Sequence, residues 1–384
     1  MEEEKRLYPF KFCTLQDDYS WGSEEFKVAD LGYRDSLVRE GWLAGNSLGE
    51  VMDMYVDRVV GENIFDFYGR QFPVCVRTID VHGRMPLRVN PDDEVSQQRY
   101  DFLGKEKLWY VAEAGADARV MLGFRRDTDA SELLAKCGDG SVEDILNVVA
   151  VHAGQYFHIA PGTPHCAAGK LRIVEIAESS PLDFCLCGWG EEVSDVEFDP
   201  SLSTIDALDF INYGRYAATE DCDCGCGHHH GHGEEEIVHK LVELPQFIVH
   251  KLELSDPLHI YSEKFESFIV YSCVSGEATV QVPVLDQTAS YALKAGETIL
   301  VPAECPDFYL VPTDRSTVIL ETTVRCEEVD PYINPGVSAH LDDDCDDDCD
   351  CDDDCEEECD DDCEEECDDE CGCGHEHCGH HHHS

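Results

Sequence analysis

Positive charge is what this chain has least of. Only 27 Lys and Arg stand against 83 Asp and Glu, giving a formal net charge of −56 over 384 residues. Phosphate-rich partners need clustered cations, so no nucleic acid and no membrane surface is expected as a partner, and metal ions are favoured. Long apolar runs are missing too, and none approaches the ~18 residues that span a bilayer. The opening residues, MEEEKRLYPF, are charged and lack the apolar stretch of a secretory leader. The expected setting is soluble and cytoplasmic.

Cysteine is abundant, 22 in all, and its distribution matters more than its number. Thirteen lie in two low-complexity stretches: Cys222, Cys224 and Cys226, then ten from Cys345 to Cys378. In a reducing compartment, thiols clustered among His and carboxylates indicate metal binding rather than bridges. The first stretch, DCDCGCGHHHGHGEEE, adds His228, His229, His230 and His232. The second sets Cys345, Cys349, Cys351, Cys355, Cys359, Cys363, Cys367 and Cys371 between runs of Asp and Glu, then ends with Cys373, His375, His377, Cys378 and four terminal-region histidines. From Asp342 to Glu376 there are 23 carboxylates and no Lys or Arg.

Thiolate and imidazole suit zinc, copper(I), nickel or cobalt, whereas carboxylate alone suits calcium or magnesium. The CxC and CxxxC spacings are not the CxxC pairs of a zinc finger. They fit a flexible chelator holding several ions, zinc foremost. A solvated acidic tail would account for Asp and Glu but not for ten exposed thiols. Like charges and no apolar periodicity make 337–384 an expected disordered tail in the absence of metal.

The remainder carries the patterns of folded structure. Residues 1–218 contain strand-like runs with period-2 alternation: FPVCVRTIDV, LWYVAEA, ARVMLGF, QYFHIA, LRIVEIA and FCLCGW. NSLGEVMDMYVDRVV has helical spacing, with Ser47 placed to cap and Glu50 three residues on. SVEDILNVV is expected to be a second short helix capped by Ser141. After a Cys/His-rich loop at 219–236, residues 237–336 return to short strands, among them FIVHKLEL, SFIVYSCVSG, EATVQVPV, ETILVPA and STVILETTV. Strands at regular spacing with turns between them imply a second β-sandwich or barrel.

Two segments share one pattern, Gly154-QYFHI-APG-TP-His165 and Gly296-ETILV-PAE-CP-Asp307. Each is a Gly turn, a five-residue strand, a Pro-containing turn and a position expected to point into a barrel. This resembles the second cupin motif, whose last position is often a metal-ligating His. The fold class expected is therefore mostly β: two cupin (jelly-roll) barrels, a few helices in the N-terminal region, and the acidic Cys/His tail. The second barrel, with Asp307 at that position, reads as structural.

A narrower resemblance runs through SWG, VREGWLAGNSL, FPVCVRTID, LRVNPDDE, GKEKLWYV and VHAGQYFHIAPGTPH, in order and spacing. These segments resemble the type I mannose-6-phosphate isomerases of the short bacterial kind over residues 7–326. The resemblance implies interconversion of mannose 6-phosphate and fructose 6-phosphate, with a zinc ion beside the developing oxyanion. It also implies four zinc ligands: Gln, His, Glu and His.

Carried over position by position, the Gln is Arg88, the first His is Asn90, the Glu is Lys107, and only His165 remains. A guanidinium has no lone pair to donate, and Lys107 coordinates only when deprotonated. At an effective dielectric near 20, a unit cation ~4 Å from a doubly charged ion is repelled by about 8 kcal/mol. The resemblance further implies a substrate-facing arginine, where this chain has Cys185, followed by Gly188 in place of an Asp.

Three readings follow. A degenerate barrel carrying a zinc chelator is the first. A surviving isomerase with a site rebuilt from His165, His158, Cys166, Cys185 and Glu175 is the second. The third is a non-catalytic sugar-phosphate sensor using an anion pocket of Arg77, Lys105, Arg88 and Lys107, for which salt-bridged, packed side chains are the plain alternative.

Overall fold

The computed structural model describes residues 5–189, 204–217, 237–262, 266–285 and 287–325. The chain divides into two units, Met1–Leu341 and Asp342–Ser384, and every described residue belongs to the first. The strands of the first barrel are β1 Leu15–Tyr19, β2 Gly22–Val28, β3 Val74–Val81, β4 Leu87–Val89, β5 Lys107–Ala114, β6 Arg119–Phe124, β7 Leu146–Ala150, β8 Tyr156–Ile159, β9 His165–Ala168, β10 Leu171–Glu178 and β11 Phe184–Cys187. They form a six-stranded sheet in the order β1-β2-β3-β10-β5-β8, facing a five-stranded sheet in the order β11-β4-β9-β6-β7.

The second barrel follows with β12 Val238–Glu243, β13 Ile248–Leu254, β14 Leu258–Tyr261, β15 Ile269–Ser275, β16 Glu277–Val284, β17 Gln287–Lys294, β18 Thr298–Val301, β19 Asp307–Pro312 and β20 Thr317–Thr323. Its sheets run β12-β13-β20-β15-β18 and β14-β19-β16-β17. The mostly-β, double-cupin architecture expected from the sequence is present.

The centre of the six-stranded sheet is buried on both faces, which is why β3, β5 and β10 have nearly continuous buried residues. One face turns Ile79, Trp109, Val111 and Ile173 into the first barrel. The other packs Val74, Val76, Leu108, Tyr110, Val174 and Ile176 into a core shared with the helical region and with Phe247, Phe268, Leu300 and Leu320 of the second barrel. Phe72 and Phe268 meet there with ring centroids 4.6 Å apart. The first barrel is thus braced from behind by the second.

The helical region differs in part from expectation. Helix α1 spans Leu48–Tyr55, and its capping box has both bonds, Ser47 with Glu50. Val56, at φ 41°, breaks the periodic segment, and α2, Asp57–Val60, and α3, Glu62–Tyr68, follow. SVEDILNVV is not a helix: a single 3-10 turn at Val142–Asp144 leads straight into β7, whose residues alternate in burial. Ser141 directs its hydroxyl to Asp139 rather than capping. Helices α4, Asp93–Tyr100, and α5, Ala130–Asp139, were not evident from periodicity, and α4 has one buried residue, Ser96.

Candidate functional site

The interior of the first barrel holds a cluster of buried charge. Antiparallel pairing lines up Arg77 of β3, Glu175 of β10 and Trp109 of β5, and the alternation of the strands turns all three inward. Lys107 enters from the same side of β5, two residues before Trp109. From the facing sheet, Arg88 of β4 pairs directly with His165 of β9. Glu24 arrives from β2, while Lys105 and Asp183 lie just before β5 and β11. Each of these side chains is buried, and Lys107 is 0 % exposed.

The contacts are short and reciprocal. Arg77 donates to Glu175 at 2.6 Å and to Glu24 at 2.7 Å, and reaches Asp183 at 3.4 Å. Arg88 donates to Glu24 at 2.6 Å. Asp183 accepts from Lys105 at 2.6 Å and from Lys107 at 2.9 Å. Trp109 Nε1 donates to Glu175 at 2.7 Å. Four cations therefore face three carboxylates in a low-dielectric interior, where such pairs persist only if nearly every group is satisfied.

The protonation states follow from this geometry. Burial lowers the Lys107 ammonium to about 8, an effect that Asp183 and Glu175 only partly offset. Burial, with the Lys107 cation beside it, lowers His165 to about 3, so its imidazole is neutral at pH 7. Burial would raise the Asp183 carboxyl, but Lys105, Lys107 and Arg77 outweigh it and hold the group well below the usual carboxylate range. The same balance, with Arg77 foremost among the opposing charges, lowers Glu24 and Glu175.

His165 fixes its ring by Nδ1, 2.9 Å from the carbonyl oxygen of Thr163. That leaves Nε2 facing Lys107 Nζ at 3.3 Å. The remaining ligand position, Asn90, turns its amide nitrogen away, donating to the Leu182 carbonyl and to Asp183 at 2.6 Å each. Its Oδ1 is buried without a hydrogen-bond partner among the described residues.

A zinc ion does not fit these four positions. Arg88 and Lys107 are donors held to carboxylates, Asn90 offers one amide oxygen, and the single imidazole lone pair faces an ammonium. Nor are the other candidates drawn around His165. His158 bonds Glu106, which precedes β5 and faces away from Lys107. Cys166 is buried against the Met121 sulfur at 3.4 Å. Cys185 pairs across the strands with Arg88 and is partly exposed. Glu175 holds Arg77 and Trp109. Among the described residues, no group of three or more His, Cys, Asp or Glu is arranged to hold a metal ion.

Arg77 and Lys105, expected to bind an anionic substrate, are both engaged with carboxylates inside the barrel. Asp307 does not point into the second barrel. It is exposed and paired with His259 at 2.8 Å, while its neighbour Phe308 fills the interior. Cys222, Cys224, Cys226, His228, His229, His230, His232 and the ten cysteines and associated histidines from Cys345 onward lie outside the described residues.

The sequence reading missed Glu24 and Asp183. Glu24 sits in the polar-looking run GSEEFKV, whose alternation shows only through the buried Phe26 and Val28 beside it. Asp183 had one signal: a barrel interior holding several cations must supply carboxylates to balance them.

No family model matches the chain. It is similar to mannose-6-phosphate isomerase ManA of Bacillus subtilis, 22 % identical over 327 residues that cover 79 % of this chain and 95 % of that protein. It is also similar to mannose-6-phosphate isomerase of Streptococcus mutans, 24 % identical over 231 residues, 60 % of this chain and 68 % of that one. The crystal structure of the mannose 6-phosphate isomerase from Bacillus subtilis superposes with a TM-score of 0.67 at 18 % identity, covering 82 % of this chain and 99 % of that one.

Proposed function

We propose that this chain, a homologue of mannose-6-phosphate isomerases in sequence and fold, has lost the isomerase centre and binds transition metals instead. The metal is zinc first, held by the Cys/His/acid segments at 221–236 and 342–378. The observation that carries the loss is the position of Lys107: its ammonium lies between His165 and Asp183, where the resemblance requires a carboxylate ligand. An enediol-like intermediate needs an electrophile at the developing oxyanion. In this barrel each cation that might serve is already bonded to Glu24, Glu175 or Asp183.

The chelating segments supply the positive half of the proposal. Carboxylates raise the local concentration of cations, and thiolates with imidazoles supply affinity and selectivity for soft and borderline ions. Storage, buffering or delivery of metal would use such a segment, with the double barrel as its folded support. A phosphosugar sensor built on Arg77 and Lys105 would have to break ion pairs of 2.6 Å in a closed interior, which counts against that reading.

The test is a zinc titration of the full chain against a chromogenic chelator, beside a turnover assay with mannose 6-phosphate. Several zinc ions per chain, released when the thiols are alkylated, with no turnover, is the expected result. Zinc-dependent turnover would overturn the proposal.

A further inference from the structure

We propose that a groove on the second barrel, between the N-terminal segment and the edge strand β17, is a docking site for an extended acidic peptide of another protein. The groove has a volume of about 710 Å³ and is lined by Arg6, Lys11, Arg39, Trp42 and Tyr291 among others, with residues Gln287–Ala292 forming one wall. Three independent features of that groove point to the same occupant.

The first is the strand itself. β17 ends its sheet, with β16 as its one neighbour. An edge strand turns alternate N–H and C=O groups away from its neighbour, and proteins usually blunt such an edge with charge, proline or a bulge. From Gln287 to Leu293 the strand is QTASYAL, with no charge, proline or bulge; its one charge, Lys294, stands at the far end, and its pairing with β16 is unbroken over eight residues. An extended chain can add there by backbone hydrogen bonds.

The second is charge. In a chain of net charge −56, this groove is lined by three cations and one carboxylate, Glu40. Lys11 and Arg39 converge on Glu297, at 2.6 and 3.4 Å, and Arg39 also pairs with Glu40 at 3.4 Å. Arg6 is exposed and has no ion pair among the described residues. Glu297 and Glu40 balance two of the three cations, and the one left over, Arg6, favours an acidic side chain.

The third is the aromatic floor. Tyr8 stacks on Tyr291 with ring centroids 6.4 Å apart, and Trp42, 37 % exposed, leans on Tyr8 at 6.0 Å. Large, partly exposed aromatics next to cations are the residue types that anchor a peptide side chain. Val284 continues the apolar surface at the end of the groove.

The probe is a fluorescein-labelled eight-residue peptide alternating Glu with Val and Tyr, titrated into the full chain by fluorescence polarisation. Saturable binding is expected, weakened about tenfold or more by Arg6→Glu and by Trp42→Ala. Methylating alternate backbone nitrogens of the peptide should abolish binding in one of the two possible registers, and replacing its Glu by Lys should abolish it outright. Circular dichroism and thermal melting establish that both variants are folded. Absence of saturable binding, binding indifferent to both variants and to backbone methylation, or self-association of the chain through this edge would each overturn the proposal.

Discussion

Nζ of Lys107 lies 3.3 Å from Nε2 of His165, so the one imidazole that the resemblance would assign to a metal faces an ammonium from its own chain. Asp183 and Glu175, at 2.9 and 3.7 Å, complete the surroundings of that ammonium. A fixed side-chain cation thus lies among three lone-pair-bearing groups, His165, Asp183 and Glu175. If that cation is what excludes zinc, restoring the ligand types should admit it. The triple variant Arg88→Gln, Asn90→His, Lys107→Glu is expected to gain about one zinc in the first barrel, measured by metal analysis after the Cys and His of the two segments have been replaced. No gain in a folded variant would mean that the second layer of charges, Arg77 and Lys105, also bars the ion.

Asp183 holds Lys105 and Lys107 directly and has Arg77 at 3.4 Å. Asp183→Ala strands buried cations and is expected to cost about 3–5 kcal/mol in urea unfolding. Lys107→Met leaves three cations facing three carboxylates, and an apolar chain of similar volume is often neutral at such a site, so a cost of no more than about 2 kcal/mol is expected. Equal losses from the two variants would contradict the charge assignment.

The cluster also sets a pH dependence. The His165 pKa falls from its usual 6.5 to about 3 on folding. Between those values the unfolded chain binds a proton that the folded chain refuses, so stability is full above pH 6.5 and is lost as pH falls toward 3. Asp183, Glu175 and Glu24, all lowered, act in the same direction at lower pH. Burial raises Glu178 and Asp30 instead, and these act in the opposite direction over the same range. The His165 share is therefore read as a difference: between pH 7 and pH 4 the denaturation midpoint of the natural chain should fall relative to that of His165→Asn, and parallel curves would contradict it.

Glu24 reaches the barrel on β2, the second strand of a hairpin, which begins at Gly22. A Cβ at Gly22 would lie 1.9 Å from the carbonyl oxygen of Asp80 on β3. Gly22→Ala must therefore displace β2 and with it the carboxylate shared by Arg77 and Arg88. A drop in melting temperature of about 2–3 °C is expected, which is what 1–2 kcal/mol produces in a chain of this size. An unchanged melting curve would show that the hairpin does not position Glu24.

Much of the architecture was legible because strands with buried residues on alternate positions announce themselves, as in β16 with its EATVQVPV run. The strands that escaped were short or polar. β4 has three residues, and β2 carries its inward Glu24 among solvated neighbours. ILNVV reads equally as helix or strand over so short a span, and tertiary pairing with β6 decides for strand. At the site, the substitutions at Arg88, Asn90 and Lys107 were legible through the resemblance. Which carboxylates would answer those cations was not, because Glu24 and Asp183 are far apart in sequence and meet only through sheet closure.

The most direct test of the account is metal content, by mass spectrometry, of two full-length proteins purified with zinc available. One is the natural chain, and the other has the Cys and His of 222–232 and 345–383 replaced by Ser and Asn. The account predicts several zinc ions in the first and none in the second. About one zinc per chain in the second, with turnover of mannose 6-phosphate, would contradict it and place a working metal centre in the first barrel.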